Sequence, residues 1–130
     1  MSDYQHIYVN DAKTNKIRSL KASDVTSMFM KNYRYIKGQI DKAVAGNYKV
    51  IIFTHHRPYI DKTYDVNSHD PAYKSDCSAI VNPKVVALWA FGHCHERVDK
   101  VIKGVRYYSN CLGYPRERTG FDKTAKVKIQ

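Results

Sequence analysis

A chain of 130 residues has room for one domain with a hydrophobic core and too little for two. Its 43% hydrophobic and 26% charged content is that of an ordinary globular protein, and no apolar run approaches the length of a membrane-spanning helix. The net charge of +10 admits an anionic partner, but the basic residues are scattered and accompany no nucleic-acid module, so nucleic acid is only weakly supported. A positive surface would still suit an anionic substrate.

Cys77, Cys94 and Cys111 form no C-x-x-C pair and are odd in number, which reads as free thiols in a reducing compartment. The first residues lack the basic start and apolar core of a signal peptide, so a cytoplasmic protein without membrane contact is expected.

Along the chain, His6–Val9 reads as a short strand and residues 10–21 as a polar, turn-like stretch. Ser23 or Asp24 is a helix N-cap, and Val25, Met28, Phe29, Ile36, Ile40, Ala43 and Val44 then repeat with helical period as one apolar stripe. Gly46-Asn47 closes that helix. Val50–Phe53 is a continuous β-branched and aromatic run, expected as a strand buried on both faces. Residues 58–82 are long, polar and rich in Asp, with a helical turn near Cys77–Val81; a loop of that length is a functional loop or an insertion. Val85–Phe91 is a second buried strand. Arg97–Lys103 and Val105–Ser109 flank Gly104 as a hairpin, and Ala125–Ile129 alternates like an edge strand. The order is that of an α/β layered fold.

Both buried runs stop abruptly at histidine. Phe53-Thr54-His55-His56-Arg57-Pro58 ends the first and Trp89-Ala90-Phe91-Gly92-His93-Cys94-His95 the second, so four of the six histidines lie in two short segments. A strand end can deliver imidazoles to the rim of a sheet, and imidazole suits zinc, iron, nickel and related ions. A glycine at 92 would allow a close approach and a tight exit. Two histidines two residues apart are weak evidence; His55 at another strand end strengthens it. The competing structural readings are a satisfied core histidine for His55, a surface histidine or one that stands beside the ligands without binding an ion for His56, and a solvent-exposed one for His69.

The ordered set VIIFTHHRP, WAFGHCHERV and YYSNCLGYPRE resembles the C-terminal half of the calcineurin-like metallophosphoesterase domain, whose superfamily includes the purple acid phosphatases. The resemblance is strongest over residues 23–130. It implies a single partial domain over 1–130, the C-terminal half of an α/β/β/α sandwich. It also implies a dinuclear centre of Mn, Zn or Fe, with ions about 3.5–4 Å apart. Carried over by motif, His55 and His93 would bind one ion and His95 the other. His56 would stand beside the ligands, or take the role of His55 if the alignment slips by one residue. Arg57 would be placed to touch phosphate, Arg97 to orient the second histidine pair, and Asn110 to organise backbone near the ions.

The family's Asp-x-His, Gly-Asp and Gly-Asn-His motifs are absent from the sequence; Gly46-Asn47 is followed by Tyr48. Three neutral imidazoles cannot hold two cations close together without bridging anions. The implied function is therefore the C-terminal part of a phosphoesterase that hydrolyses phosphomono- or phosphodiesters with a two-metal-activated water. It would be inactive without a companion N-terminal half, and prone to self-association through an exposed sheet edge. No catalytic residue is expected in this chain, because the general acid belongs to the missing half. The alternatives are a non-catalytic remnant or binding module, and a small single-metal protein using His55, His93, His95 and Cys94 or Cys111.

Overall fold

The computed structural model describes residues 3–60 and 74–129. The fold is mixed α/β with two sheets and a long helix. The backbone forms two compact units, residues 1–36 and 37–130, with the long helix running through the junction.

In the first unit a short helix, α1 (Asp3–His6), precedes an antiparallel hairpin of β1 (Tyr8–Asp11) and β2 (Lys16–Ser19). The stretch read from sequence as turn-like thus contains both a strand and its turn, because the turn chemistry of Asp11 to Asn15 is flanked by short pairing segments. Asp11 Oδ1 accepts the N–H groups of Lys13 and Thr14, and Asn15 takes φ 53°.

Helix α2 spans Ala22–Gly46. Its N-cap is Lys21 rather than the expected Ser23 or Asp24, which lie inside the helix; Asp24, at the third helical position, accepts the Lys21 N–H at 2.8 Å, half of a capping box. Arg18 reaches from β2 to both Asp24 oxygens (2.7 and 2.9 Å) and to Asp11 at 2.8 Å. These bonds pull the carboxyls of Asp11 and Asp24 down to about 2, the Arg18 hydrogen bond being the largest cause for each. A lowered carboxyl pKa contributes stability that is complete above the ordinary value near 3.8 and lost as pH falls toward about 2. The hairpin and the first turn of α2 are therefore expected to hold their backbone chemical shifts down to about pH 4 and to lose them between pH 4 and 2. Shifts that stay unchanged through that interval would refute the linkage.

The helix ends in a complete Schellman motif: Asn47 takes φ 52°, Tyr48 N–H bonds Ala43 O at 3.1 Å, and Asn47 N–H reaches Val44 O at 3.4 Å. The expected apolar stripe is present in sequence but only partly buried. Ile40 and Ala43 are covered, whereas Val25, Met28, Phe29 and Val44 are exposed. The exposed majority lies in the first unit, whose described residues include none that is fully buried. A unit of that size cannot enclose a core of its own.

The second unit carries a four-stranded sheet in the order β3-β4-β6-β5, with β3 Val50–Thr54, β4 Val86–Phe91, β5 Arg97–Ile102 and β6 Val105–Asn110. β3, β4 and β6 are parallel, and β5 is antiparallel to β6. The β5–β6 turn is the expected one, with Lys103 at φ 49° and Gly104 at φ 81°. A 3₁₀ turn at Ser78–Ile80 stands where a helical turn was expected. Most of segment 58–82, His69 included, lies outside the described residues. Its two ends are drawn together where Ser75 N–H bonds Arg57 O and Cys77 N–H bonds Pro58 O, both at 2.9 Å.

Two expectations fail. β3 is not buried on both faces: among the described residues it is an edge strand paired only with β4, with Phe53 76% and Ile51 46% exposed. Residues 125–129 form no strand, since no edge pairs with them. β4 is the buried centre, with Val86, Leu88, Trp89 and Phe91 packed among Tyr59, Ile80, Val85, Val105 and Tyr107.

Candidate metal centre

Parallel pairing puts the carboxyl ends of β3, β4 and β6 on one side of the sheet, where α/β sheets place their ligands. Thr54 pairs with Phe91, so the next residues, His55 and Gly92, emerge side by side, and Gly92 N–H bonds His55 O at 3.0 Å. Thr54 Oγ1 accepts the Trp89 indole N–H at 3.0 Å and donates to His56 O at 2.8 Å, tying the turn that carries the histidines to the core.

Beyond Gly92 the chain turns sharply. Cys94 N–H bonds Gly92 O at 2.7 Å, and His93 and His95 take φ 64° and 47°. These are left-handed conformations that cost a side-chain-bearing residue roughly 1–3 kcal/mol. Steric freedom is less important at Gly92 than its place in the sequence suggests. A Cβ there would meet His55 O at 3.6 Å, an ordinary contact. The strain lies on the histidines themselves.

His55, His56 and His93 bring their ligand atoms within 4.8 Å of one another. His55 Nε2 and His93 Nδ1 are 3.0 Å apart, and His56 stands edge-on to His93 with ring centroids 4.7 Å apart. Two imidazole nitrogens on one zinc, each at about 2.0–2.1 Å, lie roughly 2.9–3.4 Å apart for octahedral to tetrahedral angles. The His55–His93 pair is already at that spacing. Burial, and then the neighbouring His93 and His55, lower the pKa of His56, which favours the neutral, lone-pair-bearing ring. The donor set fits one borderline transition ion. Among the described residues it includes no carboxylate to bridge a second.

The other residues expected at the site are placed as follows. His95 stands outside the three-histidine group; its Nδ1 lies 2.8 Å from Glu117 Oε2. The Arg57 guanidinium is largely buried, ion-paired to Glu96 and set 5.4 and 5.9 Å from the ring centres of Tyr59 and Phe91. Arg97 lies 3.6 Å from Asp122 and its N–H bonds Thr119 O. The Asn110 amide clamps the backbone of Asp122, donating to its carbonyl at 2.9 Å and accepting its N–H at 3.0 Å. Cys94 and Cys111 share Ser109, with Sγ–Oγ distances of 3.6 and 3.3 Å, and Ser109 Oγ donates to Glu96 O. Tyr59 and Trp89 are core residues, as their apolar settings suggested.

Sequence reasoning missed Glu117, Glu96, Thr54 and Ser109. No spacing marks them. Glu117 follows an irregular Gly-Tyr-Pro turn, and its relation to His95 is purely tertiary.

No protein-family model matches the chain, and no solved structure matches it. It is 27% identical, over 139 aligned positions covering 99% of its length, to an uncharacterized protein of Acanthamoeba polyphaga mimivirus. The chain spans 48% of that protein, about half its length.

Proposed function

We propose that this chain is the metal-binding C-terminal part of a calcineurin-like metallophosphoesterase, with an α/β/β/α sandwich completed by a companion N-terminal half. The observation that carries this reading is the 3.0 Å approach of His55 Nε2 and His93 Nδ1 at the carboxyl ends of adjacent parallel strands. The exposed edge of β3 and the 48% span of the viral relative support a companion segment of comparable size. Such a segment would cover Phe53 and supply the bridging carboxylates; without it the same edge favours self-association.

When bound, divalent ions would supply Lewis-acid activation of water and phosphoryl oxygen. This chain's own residues do the rest. His55 and His93 would hold the first ion and His95 would serve the second, while Thr54 and the Gly92–His55 hydrogen bond fix the two turns relative to each other.

The test is hydrolysis of bis(p-nitrophenyl) phosphate with added manganese, alongside metal counting. The chain alone is expected to bind about one ion tightly, at His55 and His93, to fill the His95 position only at higher ion concentration, and to release no nitrophenol. With a segment carrying the Asp-x-His, Gly-Asp and Gly-Asn-His motifs, supplied in trans or fused, about two ions and turnover are expected. Turnover by the chain alone would overturn the need for those motifs; no metal under either condition would overturn the reading.

A second reading, a single-ion protein, is favoured by one observation: His56 joins His55 and His93 in one group of three donors. It predicts one ion per chain, retained with or without the companion segment, and no phosphoesterase activity.

A further inference from the structure

The loop after β6 is built to aim one carboxylate. Gly113, Arg116 and Gly120 take φ of 74°, 75° and 77°, so the backbone doubles back on itself. Thr119 anchors the far end: its hydroxyl donates to Leu112 O at 3.2 Å, and its carbonyl accepts the Arg97 N–H at the start of β5 at 2.9 Å. Within the loop, Glu117 Oε2 accepts the Tyr114 N–H at 2.7 Å and lies 2.8 Å from His95 Nδ1. The Tyr114 ring stands edge-on to the His95 imidazole, with centroids 4.8 Å apart. A Cβ on residue 113 would fall 2.5 Å from Glu117 Oε2 and 2.4 Å from Thr119 Cγ2, so the packing there requires a glycine.

His95 is thus held at one nitrogen by a carboxylate and on one edge by an aromatic ring, on a residue that itself carries a left-handed backbone. A carboxylate has only lone pairs to offer, so its 2.8 Å approach to Nδ1 favours, in a neutral ring, a proton on Nδ1 and a free lone pair on Nε2. Metal-ligating histidines are commonly held this way, the second nitrogen donating to a carboxylate that sets the tautomer and ring orientation.

We infer that Glu117 is a positioning residue that fixes His95 as the Nδ1–H tautomer and so presents Nε2 as a ligand for a divalent transition ion. This rests on the phosphoesterase reading for the use of the ion, but not for the tautomer, and the two fail separately.

The experiment is long-range ¹H–¹⁵N NMR of the imidazoles in the full ¹⁵N-labelled chain, at a pH where free imidazole is neutral, with and without zinc. In the wild type, His95 is expected to be protonated on Nδ1. Glu117→Gln, whose amide oxygen keeps an acceptor for the Tyr114 N–H and beside His95 Nδ1, should retain that tautomer, and Glu117→Ala should lose it. The zinc concentration that perturbs His95 Nε2 should rise about 10–100-fold in Glu117→Ala while the His55 and His93 responses stay in place. An unchanged Trp89 indole signal establishes that the variant is folded. A wild-type His95 protonated on Nε2, or a Glu117→Ala variant with unaltered tautomer and zinc response, would overturn the inference. If zinc perturbs no ring, the phosphoesterase reading falls, and the tautomer alone decides the role of Glu117.

Discussion

Trp89→Ala is expected to unfold the second unit under mild conditions. Trp89 is fully buried at the centre of β4, pairs with Ile52 on one side and Tyr107 on the other, and stacks on the Tyr107 ring at 6.3 Å. Removing a buried Trp side chain costs about 3–5 kcal/mol in lost transfer energy and cavity formation. The lost indole N–H bond to Thr54 adds about 1 kcal/mol. Against a total stability of roughly 5–15 kcal/mol, this removes a large share of the margin. Urea unfolding followed by far-ultraviolet circular dichroism is the measurement, because the only tryptophan is the one removed. Trp89→Phe keeps most of the volume and should cost far less. A midpoint in Trp89→Ala equal to the wild type would show that β4 is not the centre of the core.

His93→Ala is expected to lower ion affinity more than any other single histidine substitution. His93 is the shared member of the group: its Nδ1 lies 3.0 Å from His55 Nε2, and its ring centroid lies 4.7 Å from those of both His55 and His56. Loss of a residue that merely orients a ligand costs about 10–100-fold in metal affinity, and loss of the ligand should exceed that. His55→Ala should follow closely, and His6→Ala, on α1, should have no effect. The readout is zinc or manganese per chain after gel filtration, with calorimetric titration. Alanine keeps a Cβ and with it the left-handed strain at residue 93, so an unchanged circular dichroism spectrum and urea midpoint are the control that separates lost binding from unfolding. Equal metal content in His93→Ala and the wild type would remove the site.

Where local chemistry decided the conformation, the sequence was a sound guide. The Lys103-Gly104 turn, the Asn47 cap of α2, the core character of β4 and the two histidine-bearing strand ends follow from short-range patterns. Patterns that need a partner misled. The stripe of α2 and the β-branched run of β3 have the composition of buried elements, yet Phe29 and Phe53 face outward, because burial requires a second surface and period alone supplies none. Residues 10–21 hid the turn and second strand of a hairpin because a four-residue strand gives no measurable alternation.

The same division runs through the site. The sequence by itself determined that His55, His56, His93 and His95 stand just beyond two strands, since each follows directly on a short apolar β run. Tertiary structure alone decided which of them meet. Parallel register placed His55 against Gly92 and drew His56 into the group, while the loop 113–120 turned His95 toward Glu117. The reason is one of range: strand ends are set by neighbours in the chain, whereas a ligand set is made by residues some forty positions apart, whose approach depends on strand order and register.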